Sequence, residues 1–112
     1  MIFETLYESS KRGELLLIDG GFCHWHLCKR DDPKRKIKAG QITIREIIST
    51  RPGAGSEMLA KLKTVSGALS LFAKCPVDLA SNEWYKSHGF QLEDTEVTKT
   101  DRKLNLWRLY LS

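Results

Sequence analysis

Residues 41–56 read Gln41-Ile42-Thr43-Ile44-Arg45-Glu46-Ile47-Ile48-Ser49-Thr50-Arg51-Pro52-Gly53-Ala54-Gly55-Ser56, and this run decides the architecture. Its first nine residues alternate. Ile42, Ile44, Glu46 and Ile48 fall on one side of an extended chain, and Thr43, Arg45, Ile47 and Ser49 on the other. A strand is therefore predicted over 41–49, followed by a glycine-rich turn at 50–55. Beyond it Met58, Leu59, Leu62 and Val65 recur at helical spacing, so residues 56–65 are expected to form an amphipathic helix. Glycines let the backbone approach a ligand closely, and the amides of a first helical turn have no acceptor within the helix. Phosphate or pyrophosphate is the natural ligand of such a turn, with Arg51 adding charge-assisted contacts. The plain alternative is a tight connection with no ligand. Two nucleotide motifs fail here. The Walker pattern needs a lysine that Gly55-Ser56-Glu57 lacks, and the dinucleotide fingerprint needs a glycine where Met58 stands.

Working outward, residues 14–18 read as a short buried strand and Asp19-Gly20-Gly21 as a tight turn. Residues 22–28 suit a second strand, antiparallel to the first. Residues 29–40 are charged and interrupted by Pro33, as a solvated hairpin loop would be. Downstream, Gly67 ends the helix, and residues 68–73 form a buried strand that Pro76 breaks. Ser81 or Asn82 caps a short helix that runs to His88 and stops at Gly89. Residues 90–97 and 104–111 alternate around 99–103 and make a closing hairpin. The order is β-β-β-α-β-α-β-β. Its central strand-helix-strand crossover makes one strand pair parallel. The expected fold class is α/β (α+β in other schemes), with a mixed, mostly antiparallel central sheet and two helices.

The chain has 112 residues, which corresponds to one domain over 1–112. Apolar residues make up 41%, and Trp25, Trp84 and Trp107 can fill a core, which excludes a disordered chain. The longest apolar run, residues 15–18, stops at Asp19 and is far short of a membrane span. Residues 1–10 carry Glu4 and Glu8 and no positive segment, so no signal peptide is expected and a soluble, cytoplasmic protein is. Three cysteines (Cys23, Cys28, Cys75) are an odd number, which fits a reducing compartment without a disulfide framework. The net charge of +4 admits a polyanionic partner. Against nucleic acid, the basic stretch 29–38 includes Asp31 and Asp32 and has no interleaved aromatics.

A second run, Asn82-Glu83-Trp84-Tyr85-Lys86-Ser87-His88-Gly89-Phe90, gives the pattern its meaning. A strand, an Arg-x-Gly-x-Gly turn opening a helix, another strand and a helix ending Tyr-x-x-x-Gly-Phe resemble the GNAT superfamily of acyl-CoA N-acyltransferases. The resemblance covers roughly residues 13–111 and is carried by two short motifs. It implies that Arg51, Gly53, Ala54, Gly55 and Ser56 hold the pyrophosphate of coenzyme A through backbone amides. It implies further that Tyr85 protonates the departing thiolate and that Asn82 lies close to the cofactor. Two departures stand out. The position three before Gly53 is Thr50, with the arginine displaced to Arg51, and only Asp19-Gly20-Gly21 separates the first two clear strands, where the family has one or two helices. Unless residues 1–10 replace those helices, the acceptor site is open or completed by another subunit.

Acyl transfer from a thioester to an amine needs a neutral amine, a polarised carbonyl and a proton for the leaving thiolate. Ile47 and Ser49 lie nearest the turn and can offer backbone amides to the pantetheine and thioester. Tyr85 is the candidate acid, or else a half-buried ring in the helix packing. Glu46 is the candidate base, because its alternation with Ile42, Ile44 and Ile48 points it to an apolar face that would raise its pKa. Pairing with a neighbouring cation is its alternative role. His24, His26 and Cys28 share a strand face, but alternate positions spread the three over about 13 Å, so no metal site is expected. The reading is an N-acetyltransferase moving an acetyl group from acetyl-CoA to an amine, small molecule or protein, by direct attack in a ternary complex. The competing reading is a small basic non-enzymatic module that binds nucleic acid or protein, with a degenerate CoA site. A homodimer built on strand edges is the third.

Overall fold

The computed structural model describes residues 14–35 and 37–111. The expected order of elements is present: β1 (Leu15–Ile18), β2 (Gly21–Cys28), β3 (Gln41–Ser49), α1 (Ala54–Leu62), β4 (Ser70–Pro76), α2 (Ser81–Ser87), β5 (Gln91–Val97) and β6 (Lys103–Tyr110). The six strands form one sheet in the order β1-β2-β3-β4-β6-β5. Only β3 and β4 run parallel, as the crossover through α1 requires; every other neighbour is antiparallel.

α1 begins two residues earlier than its apolar pattern suggests. Gly53 adopts φ +83° as the N-cap, and the Glu57 amide already donates to the Gly53 carbonyl at 3.0 Å. The helix ends at Leu62 because Thr64 and Val65 donate to Lys61 and Leu62, a tightened last turn that leads to Gly67 at φ +87°. The described residues of 29–40 include a 3-10 turn, Pro33–Arg35, and a bridge between Asp32 and Ile37. This loop is braced, not merely solvated: the Lys38 ammonium donates to the Tyr110 hydroxyl at 2.7 Å.

One sheet face is the core. Cys23, Ile42, Ile44, Leu71, Ala73, Cys75 and Trp107 pack there beneath Met58, Leu59 and Leu62 of α1, Tyr85 of α2 and Phe90. Burying such side chains contributes about 1.5–3 kcal/mol each, so α1 is held mainly by this stripe and not by propensity. The opposite face is more polar. There the buried Arg108 donates to Glu93 at 2.7 Å and Ser70 at 3.1 Å and lies over the Phe72 ring.

The register of β2 against β3 shifts between His24 and Trp25, which pair with Glu46 and Ile44, so Arg45 is an extra residue on β3. This bulge overturns one expectation. Ile47, opposite the buried Cys23, returns to the core face, whereas Glu46 and Ile48 turn to the other and are exposed. A strict period of two fails there because two residues of one strand oppose one of its partner.

No helix among the described residues is long and apolar enough to cross a membrane. All three cysteines are free. The suggestion that residues 1–10 complete the acceptor side concerns a segment outside the described residues.

Candidate active site

The parallel pairing of β3 with β4 runs from Gln41 and Ser70 to Ile44 and Ala73, and stops at the level of the bulge. A cavity of about 460 Å³ lies in the continuation. It is lined by Ile47 and Ser49 of β3, Lys74 and Cys75 of β4, the head of α1 at Gly55, and Trp84 and Tyr85 of α2. Four positions singled out from the sequence, Ile47, Ser49, Gly55 and Tyr85, are thus brought to one place from three elements.

The head of α1 is built to be approached. The cap carries no side-chain hydrogen bond, and the amides of Gly55 and Ser56 bond to no described group. They are the donors that an anion would meet. The two glycines are needed for different reasons. At Gly53 a Cβ would meet nothing within 4 Å, so only the positive φ demands glycine, whereas at Gly55 it would lie 2.6 Å from the Trp84 ring. Gly55 is what lets the two helices meet. Ala54 beside it is fully buried and contributes packing and its backbone.

Tyr85 is buried, and its ring sits edge-on to both Trp84 and Phe90 at centroid distances of 5.2 Å. Burial pushes its phenol up to about 12, with Cys75 and Cys23 adding to the effect. The phenol is therefore a neutral donor throughout the physiological range, and none of the described residues hydrogen-bonds its hydroxyl. Burial also raises the Cys75 thiol, helped by Asp78, so this cysteine stays a thiol and fills space.

Two cofactor assignments need correction. The Arg51 guanidinium is turned back: it donates to the Asp19 carbonyl at 2.8 Å and to Glu57 at 2.5 Å, and its stem covers Gly20. It fastens the turn to the β1–β2 hairpin instead of reaching outward, because two carboxylates, Asp19 and Glu57, lie on that side. Asn82 is likewise engaged at both ends. Its amide nitrogen donates to the carbonyls of Pro76 and Leu79 at 2.8 Å, and its oxygen accepts from Asn105 at 3.0 Å and Trp107 at 2.9 Å. Asn82 thereby fixes the β4–α2 connection against β6.

Elsewhere, His26 pairs with Glu14 in a short contact, and His24 is buried. Sequence reasoning missed Trp84 and the contact it mediates. It also missed the pair formed by Ser56 and His88, whose hydroxyl and Nε2 lie 2.9 Å apart. The i, i+4 spacing of Trp84 and His88 was the available signal, but their partners on α1 are set only by packing.

Known structures share this architecture. A GNAT-family acetyltransferase from Bacillus cereus ATCC 10987 matches at TM-score 0.73 and 13% identity, over 97% of this chain and 78% of that one. RimL, a ribosomal L7/L12 α-N-protein acetyltransferase solved with coenzyme A, matches at 0.64 and 16%, over 96% and 68%. A third, described as an acetyltransferase, matches at 0.64 and 14%, over 89% and 71%. No family model matches the chain, and no curated protein matches it in sequence. At such identities the likeness is one of fold.

Proposed function

We propose, starting from the GNAT acyltransferase fold of this chain, that it moves an acetyl group from acetyl-CoA to an amine by direct attack in a ternary complex. The observation that carries this reading is the cavity between the diverging β3 and β4, which gathers Ile47, Ser49, Gly55 and Tyr85. The open amides of Gly55 and Ser56, with Gly53 and Ala54 shaping the turn, receive the diphosphate. Ile47 and Ser49 flank the pantetheine and thioester. The acceptor nitrogen forms a bond to the carbonyl carbon, and the carbon–sulfur bond breaks. Tyr85 donates a hydrogen bond to the sulfur as negative charge develops. With its phenol at about 12 against an ordinary thiol near 8.5, outright proton transfer is uphill, so the hydrogen bond is its main contribution.

Glu46 stands exposed on the face away from the two helices. It lies outside the lining of the cavity, so the amine proton is released to water and not to Glu46. The acceptor is a small molecule or a protein amine, and a second copy of the chain is the natural completion of an open acceptor side. The setting is the cytoplasm. No nucleic-acid role is assigned to the basic loop, where Asp31 and Asp32 interrupt the lysines and arginines and no aromatic is interleaved.

Calorimetric titration with acetyl-CoA tests the reading. Binding is expected in the native protein and lost in a Gly53→Glu/Gly55→Glu variant that fills the turn with two carboxylates. No heat of binding in the native protein overturns the enzyme, and a salt series with nucleic acid then becomes the next measurement.

A further inference from the structure

The sheet is open on a second side. On the face away from the two helices a cavity of about 380 Å³ lies beside the Pro33–Arg35 turn, against Gln41 and Thr43 of β3 and Phe72 and Lys74 of β4. Two buried side-chain polar atoms of the described residues lack a partner, and both belong to this face. The Gln41 amide nitrogen donates to the Thr43 hydroxyl at 2.9 Å, which leaves Oε1 unpaired in a residue only 1% exposed. Nη2 of Arg108 is the other, and that guanidinium lies over the Phe72 ring, which walls the cavity. Unmet polar groups at such depth are costly, so two of them beside one cavity mark a place built for a polar ligand.

This cavity meets the one between the diverging strands at Lys74, which lines both. The ladder between β3 and β4 ends at Ile44 and Ala73, so past that level no backbone bond closes the sheet between its faces. We propose that this second cavity is the acceptor site, and that the acceptor is a small amine carrying a carboxylate or other anionic group. The proposal rests on the acetyl-CoA reading. Charge decides the class. Lys34, Arg35 and Lys74 face one carboxylate, Glu96, which Lys74 already holds at 3.0 Å. Arg35 is shared with Asp32 at 3.6 Å, and Lys34 has no ion-pair partner among the described residues. The loop side of the cavity is therefore positive and suits an anion. There the Gln41 amide turns over, so that Oε1 accepts from the Thr43 hydroxyl and Nε2 donates to the ligand's carboxylate. At the Lys74 end Glu96 attracts the incoming ammonium. Thr43 lies opposite Phe72 and Lys74 stands two residues farther on, which separates the two ends by about 7 Å of strand. Once neutral, the amine attacks through the gap. Its nitrogen bonds to the carbonyl carbon, the carbon–sulfur bond breaks, and the surplus protons of the nitrogen pass to water. A volume of about 380 Å³ admits a small molecule and not a folded partner.

Amide NMR of the full chain, titrated in two arms, is the test. Acetyl-CoA should shift the Gly55 and Ser56 amides, and δ-aminovalerate should shift the Gln41 side-chain amide together with Thr43 and Phe72. Lys34→Glu/Arg35→Glu, a change of two exposed loop residues, should keep the first response and lose the second. Thiol release from acetyl-CoA then compares three amines of one chain length. δ-Aminovalerate should exceed neutral n-pentylamine and cationic cadaverine by roughly tenfold in kcat/KM, the scale of two exposed charge contacts. The same double variant should invert that order in favour of cadaverine, which damage to the fold cannot do. Equal rates for the three amines, an order unchanged in the variant, or no response at Gln41 and Thr43 overturns the proposal and spares the acetyl-CoA reading. Silence of Gly55 and Ser56 toward acetyl-CoA overturns both.

Discussion

Tyr85 and Cys23 show how burial sets the protonation of single residues. Each is driven up to about 12, the tyrosine from an ordinary 10 and the cysteine from 9, chiefly by loss of solvent. Folding favours the neutral forms, so their contribution is intact below pH 9 and is lost as pH rises toward 12. The thermal midpoint should therefore fall between pH 9 and 12, and Tyr85→Phe should fall less steeply than the native protein. The same substitution tests chemistry. Turnover should drop by about a hundredfold if the phenol meets the developing thiolate, while acetyl-CoA affinity stays within about twofold. Steady-state rates beside calorimetry check both, and unchanged turnover removes Tyr85 from the mechanism. Glu46 carries the opposite lesson. Its residue type was suggestive, but one inserted residue in β3 sends it to the exposed face.

Between elements, the decisive contacts are the close approach of α1 to α2 at Gly55 and Trp84, and the clasp of Asn82 across the β4–α2 connection and β6. Asn82→Ala removes the donor shared by the carbonyls of Pro76, Val77 and Leu79 and leaves the Asn105 amide and the Trp107 indole without their acceptor. Unsatisfied groups of this kind cost about 1–3 kcal/mol each when buried. Because these are only partly buried, the expected loss is about 2–3 kcal/mol in all, read from urea unfolding. If Asn82 acts through position, turnover should suffer more than acetyl-CoA affinity; an equal loss in both would make it a ligand contact instead. The elements themselves were legible. The limits of β3 agree with the alternation to the residue, since nine residues with four isoleucines admit little else. Helix ends were less so, because the cap at Gly53 is a matter of φ and not of hydrophobic spacing.

On the scale of the whole molecule, a site assembled from β3, α1, β4 and α2 couples cofactor binding to global stability. Acetyl-CoA at a hundred times its dissociation constant should stabilise the fold by about 2.7 kcal/mol. For a domain of this size that raises the melting midpoint by roughly 10 °C. A melt unmoved at that excess would contradict a cofactor site in the native state. The sequence by itself determined the order of the elements, the parallel pair forced by the crossover, and the two motifs that resemble an acyltransferase. All three are encoded locally, in hydrophobic period, glycine and turn chemistry within runs of fewer than twenty residues. Only the tertiary structure decided which polar groups remain available. Arg51 and Asn82 are consumed by partners up to 32 and 25 residues away, Ser56 meets a histidine 32 residues on, and the bulge that redirects Glu46 exists only in the pairing of β3 with β2. Side-chain chemistry is written in the chain, but its availability depends on long-range contacts that no local pattern records.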